Sequence, residues 1–482
     1  MPVENLTADS MSEQFDIARD AKKMLRVFQE SLQSSGDKCF QIECCRVLRF
    51  RYREGQRSIL LYELRLRDAH TNEARSQWIT GVLYADYKRA KQLYWRVKKS
   101  SVLLEIPDAW QTIEPVCYIP QLRMLVQVFP LDRYLDTLPR VLNQPTPELE
   151  TLLLTEFGPG NWRVQRWEVE PTRYRPFLGV TLRCSLVAEN INSGELCTKH
   201  FYIKLYRDDS GQQTYQLLRR LHATTVQRQY SFNTARPVGY ISTLRALVLA
   251  EAQGQSLEQI LIHGKGITKA MKKTARAMVA LHQSDLLDGQ PRTRELALGR
   301  AKRAGSFIRW AYPSQGQQVY KILEALKERL EVVDACPIHL DFKADHIFID
   351  GDQTTFIDLD SFGVGDPVFD PATLLVRLAA MQNLLPISPS TIDKATQVFV
   401  DEYFHRVPDS WRSRLPVNIV LASLKVALYY VQHQEPNWQS RVSTLLNQAT
   451  KLLTTDEFSY FDGLQRITPE SVQCARRKAI HG

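Results

Sequence analysis

The sequence repeats itself at a constant offset of 122 residues through its first half. The tripeptide Arg51-Tyr52-Arg53 recurs as Arg173-Tyr174-Arg175, and Leu83-Tyr84 recurs as Leu205-Tyr206, in the same ungapped register. Further matches are Glu73 with Glu195, Asp86 with Asp208, Pro115-Val116 with Pro237-Val238, Tyr118-Ile119 with Tyr240-Ile241, Leu122-Arg123 with Leu244-Arg245, and Leu125-Val126 with Leu247-Val248. So many matches in one register predict two copies of one structural unit, and both copies must satisfy the same fold.

Each copy has the hydrophobic pattern of a small sheet domain. Alternating apolar residues predict strands over Ser58–Leu66 and Gly179–Val187, and each is followed by an apolar strand that ends in Leu-Tyr. A helix and two further short strands complete the copy. This pattern predicts a five-stranded antiparallel sheet with one helix in about 100 residues. The segment from Gln144 to Asn161 contains prolines and glycines and is predicted to link the copies.

Beyond Ser256 the sequence changes to helical periodicity. Helices are predicted over Lys269–Leu281, Gln317–Val332 and, in several pieces, Pro371–Leu453, with a strand-rich insert at Ile338–Phe362. The expected fold class is therefore α+β. The expected domains are residues 1–145, the first copy with a polar N-terminal extension; residues 160–255, the second copy; and residues 256–482, a mostly helical domain.

Composition and charge argue against several classes of protein. The 482 residues carry a formal net charge of +9, but the basic residues are spread along the chain, which disfavours nucleic acid as a partner and suits an anionic nucleotide. The eight cysteines include no Cys-x-x-Cys pair, which argues against a zinc finger and favours reduced thiols in the cytoplasm. No apolar signal segment begins the chain, and Lys425 interrupts the apolar run Ile419–Val431. We therefore expect a core helix there and no membrane span.

The clearest chemical signal is a short hairpin with an acid at each end. Asp341 precedes the apolar run Ile347–Ile349, a Gly351-Asp352 turn follows, and Asp358 comes after the second apolar run. Because a hairpin returns the chain to its starting end, Asp341 and Asp358 are expected to lie close together. One carboxylate is then able to orient a hydroxyl group while the other holds Mg²⁺ on a polyphosphate.

This arrangement resembles the catalytic and metal-binding loops of the aminoglycoside phosphotransferase and choline kinase family. The family pattern is H-x-D-x-x-x-x-N followed by I-D. The resemblance assigns His339 and Asp341 to catalysis and Asp358 to the metal, with Asp360 as a further metal candidate. His346 stands where the family has asparagine, and imidazole suits Mg²⁺ less well than a carboxamide does.

The resemblance extends upstream to a lysine in a strand. Lys204 lies within the otherwise apolar strand Phe201–Tyr206, where a buried charge needs a partner such as the α- or β-phosphate of a nucleotide. In the family this lysine pairs with a glutamate of the next helix. The corresponding helix, Gln212–Leu221, offers only glutamines, and Gln216 is the candidate that would hydrogen-bond the lysine.

Three further segments match the family in the correct order. The strand that ends at Glu251 looks like the adenine-binding hinge, where backbone groups would bind the base. The turn before Gly179 corresponds to the phosphate-covering turn, with one glycine and few backbone donors. Gly365-Asp366-Pro367 with Asp370 looks like the segment that opens the next helix, where Asp370 would cap the helix and brace the catalytic loop.

The resemblance implies a bilobal protein-kinase-like fold, preceded here by a second copy of the sheet lobe. It implies Mg²⁺-dependent transfer of a phosphoryl group from ATP or GTP to a hydroxyl of a small polar acceptor, such as a sugar, an aminoglycoside or an amino alcohol. Two alternatives stay open. The missing helix glutamate and His346 favour a pseudokinase-like nucleotide-binding or scaffold protein, and the spare first copy favours a purely structural role.

The first copy is expected to be catalytically silent. At the offset of 122, Lys204 falls on Val82, and Glu251 falls on Phe129. The apolar strand positions persist while the ligand-binding residues are lost. We therefore expect the first copy to serve packing, to bind a protein partner or to mediate self-association.

Overall fold

The computed structural model describes residues 8–53, 57–382, 384–434 and 437–454. The strands are β1 (Phe40–Arg53), β2 (Arg57–Asp68), β3 (Ala74–Tyr84), β4 (Val116–Ile119), β5 (Met124–Val128), β6 (Trp162–Arg175), β7 (Gly179–Asn190), β8 (Leu196–Tyr206), β9 (Asn233–Thr234), β10 (Pro237–Ile241), β11 (Ala246–Ala250), β12 (Gln255–Ser256), β13 (Gln290–Arg292), β14 (Cys336–Ile338), β15 (Ile347–Asp350), β16 (Gln353–Phe356) and β17 (Gly363–Gly365). The helices are α1 (Ala8–Ala18), α2 (Ala21–Ser31), α3 (Tyr87–Lys98), α4 (Leu138–Asn143), α5 (Pro147–Leu154), α6 (Ser210–Arg228), α7 (Leu257–His263), α8 (Ile267–His282), α9 (Arg294–Ala311), α10 (Gly316–Arg329), α11 (Phe369–Met381), α12 (Pro389–Phe404), α13 (Asp409–Ser413), α14 (Leu415–His433) and α15 (Trp438–Thr454).

These elements form an α+β protein of two compact units. The first unit comprises the chain up to Gln253 together with the short segment 429–436. The second unit comprises residues 254–428 and the chain from Asn437 onwards. The boundary after Gln253 lies close to the start at residue 256 predicted for the helical domain. Both predicted sheet domains fall within the first unit.

Two five-stranded antiparallel sheets with the same strand order make up most of the first unit. The order is β1-β2-β3-β5-β4 in the first sheet and β6-β7-β8-β11-β10 in the second. β6 begins at Trp162, 122 residues after β1 begins at Phe40, and β7, β8 and β11 follow β2, β3 and β5 at the same distance. The offset between matching residues in the sequence is therefore also the offset between corresponding strands.

The N-terminal segment contains two helices that pack on the first sheet. Asp20 caps α2 by accepting hydrogen bonds from two backbone N–H groups of its first turn. Met24 and Phe28 of α2 are fully buried, and the Phe28 ring meets the ring of Tyr62 edge-on at 5.1 Å. The polar residues of α2 therefore cover its outer side, while its apolar residues pack on the sheet.

The segment predicted to link the copies also folds. α4 and α5 lie within it or beside it, and Pro147 occupies the first turn of α5, where a missing N–H group is tolerated. Leu149 and Leu153 of α5 are buried in one cluster with Leu182 and Leu186 of β7. The proline therefore marks the start of a helix. Because Leu149 and Leu153 of this helix are buried against β7, the segment is part of the core of the second sheet domain.

The side chains of the second sheet alternate between a packed face and a second face, which we call the lysine face. Leu182 and Ile203 represent the packed face and are fully buried. Thr181 and Lys204 lie directly opposite each other on the lysine face and are only half-buried, as is the neighbouring Arg183. The period of two along each strand thus places Lys204 on the more accessible side of the sheet.

In the first sheet, the face that corresponds to the lysine face is filled by apolar side chains. Val82 lies in one buried cluster with Phe177, which comes from the turn between β6 and β7. Tyr174 of β6 stacks on Trp78 at 6.1 Å between centroids, and its hydroxyl donates a hydrogen bond to the buried Asp132 at 2.9 Å. The first sheet domain therefore docks on the first hairpin of the second.

The second unit is mostly helical and holds a small sheet. β15 and β16 pair as the predicted hairpin, and Gly351 in the turn has a φ of 51°. β12 pairs with β15, and there a Cβ on Gly254 would lie 2.2 Å from the carbonyl oxygen of Ile349. Only glycine permits this approach, so Gly254 ties the segment after Glu251 to the hairpin.

One helix in the described ranges, α14, has the length and apolar composition that a membrane span requires. Two thirds of its apolar window is buried within the protein, and the core helix of a soluble protein passes the same test. The helix contains Lys425 among apolar residues. That lysine contacts the candidate active site.

Candidate active site

The hairpin brings two acids and one histidine together. Asp341 lies in the loop before β15, Asp358 follows β16, and His346 ends a short 3-10 turn at the start of β15. One ligand atom from each of these three residues lies within 4.8 Å of the others. We call this group the Asp-His-Asp cluster.

The buried carboxylate of Asp370 holds the loop in which Asp341 lies. Its two oxygens accept hydrogen bonds from the backbone N–H groups of His339 and Leu340, at 2.6 and 2.8 Å. Leu340 needs this support because its φ is 69°, a region that branched side chains rarely adopt. The prediction that Asp370 braces the loop is confirmed. The prediction that it caps α11 is wrong, because the N-cap residue is Val368.

His339 positions the loop from within the core. It is fully buried, its Nε2 lies 2.8 Å from the carbonyl oxygen of Ile357, and its Nδ1 accepts the N–H of Asp341 at 3.3 Å. Both ring nitrogens are engaged, and the ring connects the loop before β15 to the chain before Asp358. The assignment of His339 to catalysis is therefore corrected, since a buried ring with both nitrogens occupied orients Asp341 and meets no substrate.

His346 is held as a neutral imidazole with one nitrogen towards the acids. Its Nδ1 lies 3.1 Å from the carbonyl oxygen of Asp341, so Nδ1–H donates and Nε2 keeps its lone pair. Nε2 is 3.5 Å from a carboxylate oxygen of Asp358. Burial and, next, the charge of Lys343 lower the pKa of His346 to about 3. A neutral ring oriented in this way is the form that binds a metal ion.

The donor set of the cluster fits a divalent cation. Of the two carboxylates, Asp358 supplies the oxygen ligands that Mg²⁺ prefers, and the imidazole nitrogen of His346 also suits Mn²⁺. Asp358 reaches the cluster from a left-handed backbone conformation with a φ of 59°. Asp360 is exposed on the following 3-10 turn and is not part of the cluster, so its assignment as a metal ligand stays a prediction.

Lys425 is a residue of the site that sequence reasoning missed. From α14 its ammonium group donates hydrogen bonds to Asp341 Oδ1 at 2.8 Å and to the carbonyl oxygen of Leu340 at 2.6 Å. Burial alone raises the pKa of Asp341, but Lys425 and, less strongly, other nearby cations hold it well below its usual range. The available signal was a single lysine within an apolar helix, which requires a partner.

Lys204 and Gln216 lie in the first unit. Lys204 is half-buried on the lysine face of the second sheet, where it pairs across the strands with Thr181 and Leu247. Gln216 is exposed on α6. A partner that fixes the position of Lys204 would be expected to be at least partly buried beside it. The exposed position of Gln216 therefore gives no support to this residue as the partner of Lys204.

Glu251 is engaged by neighbouring residues of the same unit. Its carboxylate accepts a hydrogen bond from the guanidinium Nε of Arg183 at 2.8 Å, on the lysine face. Its backbone N–H donates to the carbonyl oxygen of His200 at 3.3 Å. The expectation that backbone groups here bind adenine is therefore corrected for the N–H of Glu251, which is already used in the sheet edge.

The turn before Gly179 has its own backbone donors occupied. Pro176 has no N–H, the N–H of Phe177 donates to Asp132 at 2.8 Å, and that of Leu178 donates to Arg175 at 2.9 Å. A Cβ on Gly179 would lie 2.7 Å from the carbonyl oxygen of Leu205, so glycine is needed there for packing. The prediction that Gly179 and this turn cover the phosphates with backbone donors is corrected.

Comparison with protein families identifies one matching model. Residues 193–389 match the model described as "Phosphotransferase enzyme family". The matched segment contains Lys204, Glu251 and the whole Asp-His-Asp cluster, and it confirms over that segment the resemblance drawn from the sequence. No curated protein matches the chain.

Several solved structures resemble the chain. The ADP-bound aminoglycoside phosphotransferase APH(2'')-Ib is 17% identical, with 64% of this chain and 99% of that chain covered and a TM-score of 0.39. A choline/ethanolamine kinase family protein from Mesorhizobium loti is 12% identical, with 61% and 92% covered and a TM-score of 0.40. The amicoumacin kinase hAmiN in complex with AMP-PNP and Ca2+ is 13% identical, with 65% and 95% covered and a TM-score of 0.41.

Proposed function

We propose that this chain, whose residues 193–389 match the phosphotransferase enzyme family, transfers the γ-phosphoryl group of ATP or GTP to a hydroxyl group of a small polar molecule. The observation that carries the proposal is the Asp-His-Asp cluster, with ligand atoms of Asp341, His346 and Asp358 within 4.8 Å. Asp341, one member of the cluster, lies on a loop held by the buried Asp370. A braced carboxylate suits positioning of the acceptor, and a second carboxylate beside it suits a divalent cation that neutralises phosphate charge; these two effects dominate phosphoryl transfer.

Asp341 orients the acceptor in this proposal. Its carboxylate accepts a hydrogen bond from the acceptor hydroxyl and takes the proton as the new oxygen–phosphorus bond forms and the bond from the γ-phosphorus to the bridging oxygen breaks. Because its pKa is held below the usual range, the carboxylate stays ionised and is a weak base. Proton transfer is then late, which agrees with a loose transition state in which the hydroxyl is only slightly activated.

Asp358 and His346 would hold the divalent cation. The cation supplies neutralisation of the phosphate oxygens during transfer. His346 contributes Nε2, since its Nδ1–H is committed to the carbonyl oxygen of Asp341. The role of Lys204 as a contact for the α- and β-phosphates stays a prediction from the sequence.

The test is a coupled assay of ADP or GDP formation with sugars, aminoglycosides and amino alcohols as acceptors. Asp341→Asn is expected to lower acceptor phosphorylation by about 100-fold or more while nucleotide affinity is retained. Asp358→Ala is expected to abolish cation-dependent turnover. Asp352→Asn is the matched control, because Asp352 lies on the same hairpin with its side chain 93% exposed. Wild-type turnover in both Asp341→Asn and Asp358→Ala would overturn the proposal.

A nucleotide-binding protein without phosphoryl transfer is the second candidate. It is favoured by the ion pair with Lys425 that already neutralises Asp341, the residue that would orient the acceptor hydroxyl. Nucleotide affinity without product formation would support this candidate. Neither binding nor turnover would instead support a purely structural role.

We place this activity in the cytoplasm. The cysteines within the described residues form no disulfide, which suits a reducing compartment. The small acceptor is the expected partner, and the docked first sheet domain is a candidate surface for a protein partner. Cell fractionation with an antibody against the chain tests the location.

A further inference from the structure

Lys425 stands beside the group that would orient the acceptor. Its Nζ lies 2.8 Å from Asp341 Oδ1 and 2.6 Å from the carbonyl oxygen of Leu340. An ammonium group has three N–H donors, and within the described ranges only these two acceptors take them. The side chain is 34% exposed and its Nζ also lies 5.8 Å from the centroid of the Phe369 ring, so a molecule that reaches Asp341 also approaches the ammonium group.

Asp341 and the nearby Asp345 are each paired with a lysine before any acceptor arrives. The carboxylate of Asp341 is paired with Lys425, and that of Asp345 is paired with Lys343 at 2.8 Å. Burial lowers the pKa of Lys425, Asp341 raises it, the positive charge of Arg377 lowers it, and the negative charge of Asp370 raises it. A second cation therefore acts on the lysine from α11, and in the described residues Asp341 is the carboxylate that forms an ion pair with Lys425.

These charges discriminate between classes of acceptor. When the acceptor hydroxyl binds Asp341, a substituent on the neighbouring carbon of the acceptor lies close to the ammonium group of Lys425. An amino substituent there competes with Lys425 for the same carboxylate and meets a like charge, whereas a carboxylate or phosphate substituent accepts the third N–H and meets an opposite charge. The arrangement disfavours amino alcohols and aminoglycosides.

We propose that the acceptor carries an anionic group, a carboxylate or a phosphate, near the reacting hydroxyl and that Lys425 binds this group. The inference rests on the proposed function, because it takes Asp341 as the residue that orients the hydroxyl. Lys425 then has two roles in one position. It holds the carboxylate of Asp341 in place, and it selects the charge of the acceptor.

The experiment compares acceptors that share a skeleton and differ in charge. One series is glucose, glucosamine, gluconate and glucose 6-phosphate, and a second is ethylene glycol, ethanolamine and glycolate. For the wild-type chain, kcat/KM is expected to be at least about tenfold higher for an anionic member than for the neutral and cationic members of the same series. Gluconate and glucose 6-phosphate distinguish a carboxylate from a phosphate. A preference for the cationic or neutral members overturns the inference.

Variants of Lys425 test whether this residue sets the preference. Lys425→Met is expected to raise KM for the preferred anionic acceptor by about tenfold or more and to remove the preference over the neutral member. Lys425→Arg is expected to keep the preference, and Lys394→Met, a change at an exposed lysine of α12, is the matched control. A purely structural lysine would lower turnover of all acceptors by the same factor, and that result overturns the selecting role. If Lys425→Met does not fold, the acceptor preferences of the wild-type chain and of Lys425→Arg still test whether the acceptor is anionic.

Failure of this inference is distinguishable from failure of the proposed function. Cation-dependent nucleotide hydrolysis in the absence of acceptor, lost in Asp358→Ala, tests the proposed function alone. Hydrolysis that persists while no anionic compound is phosphorylated overturns the inference and leaves the proposed function standing. Absence of any hydrolysis or transfer overturns both.

Discussion

Leu340 adopts a left-handed backbone conformation directly before Asp341. A branched residue in this region costs about 1–3 kcal/mol, so other contacts must stabilise it. Asp370 supplies them by accepting the N–H groups of His339 and Leu340 in a fully buried position. The orientation of Asp341 therefore depends on a carboxylate that never meets the substrate.

Asp370→Ala is expected to destabilise the protein by about 3–5 kcal/mol, because two buried N–H groups lose their acceptor. Acceptor phosphorylation should fall as well, since the loop before Asp341 loses its support. Denaturant unfolding followed by fluorescence measures the first effect. Asp370→Asn keeps the shape and one acceptor oxygen and should be intermediate. A loss below about 1 kcal/mol for the alanine variant would contradict the bracing role.

His346→Asn is expected to shift the cation preference of the cluster from Mn²⁺ towards Mg²⁺. The carboxamide oxygen replaces an imidazole nitrogen, and Mg²⁺ favours oxygen ligands more strongly than Mn²⁺ does. Binding of each ion measured by calorimetry, together with turnover in each ion, checks the shift. His405→Asn, at an exposed histidine, is the control. Inactivity of His346→Asn with both ions would mean that the ring has a role of its own.

At the scale of elements, the turn between β6 and β7 is held by the first sheet domain. Phe177 has a φ of 63° and a buried side chain, and its N–H donates to Asp132. Asp132 also accepts the hydroxyl of Tyr174 and the N–H of Tyr134. Burial raises the pKa of Asp132, so these hydrogen bonds are what makes a carboxylate tolerable at this position.

Asp132→Ala is expected to lower the free energy of unfolding by about 2–4 kcal/mol, because three donors are left without their acceptor. The turn should also become more accessible, and Trp78 fluorescence should change, since Tyr174 stacks on that ring. Asp136→Ala removes only an exposed ion pair with Arg245 and is the control, with a small effect expected. Equal stabilities of the two variants would contradict a docking role for Asp132.

At the scale of the whole molecule, the first sheet domain covers apolar surface of the second. Tyr174 and Phe177 are buried against it, and Leu138 and Val141 of α4 lie in the same cluster as Leu182 of β7. Its own counterpart of the lysine face is filled, with Val82 where the second copy has Lys204. We propose that the first sheet domain is a duplicate kept for packing, without a nucleotide site.

Deletion of residues 1–145 is therefore expected to give an insoluble or strongly destabilised remainder, because these apolar side chains become exposed. Co-expression of residues 1–145 as a separate chain should restore solubility in part. Solubility, thermal stability and turnover measure the outcome. A soluble, stable and fully active remainder would contradict the packing role. Nucleotide bound by residues 1–145 would contradict the silent role.

Local pattern determined much of this protein from the sequence alone. The period of two along the strands and the offset of 122 residues predicted both sheets, because alternation decides which side chains face a core. The hairpin and the order of Asp341 and Asp358 around it also followed from short-range signals. The helices α2 and α5 were not predicted. Their segments contain many polar residues or a proline, and their apolar residues lie only on the face that packs against the sheet.

Only the tertiary structure decided the contacts between residues distant in sequence. Lys425 reaches Asp341 across 84 positions, and Asp132 reaches Phe177 across 45. Neither pairing leaves a local pattern, because a buried charge shows that a partner is needed without showing which residue supplies it. The sequence by itself therefore determined the strands, the hairpin and the candidate chemistry. Packing decided which charges neutralise Asp341 and which backbone donors remain available to a ligand.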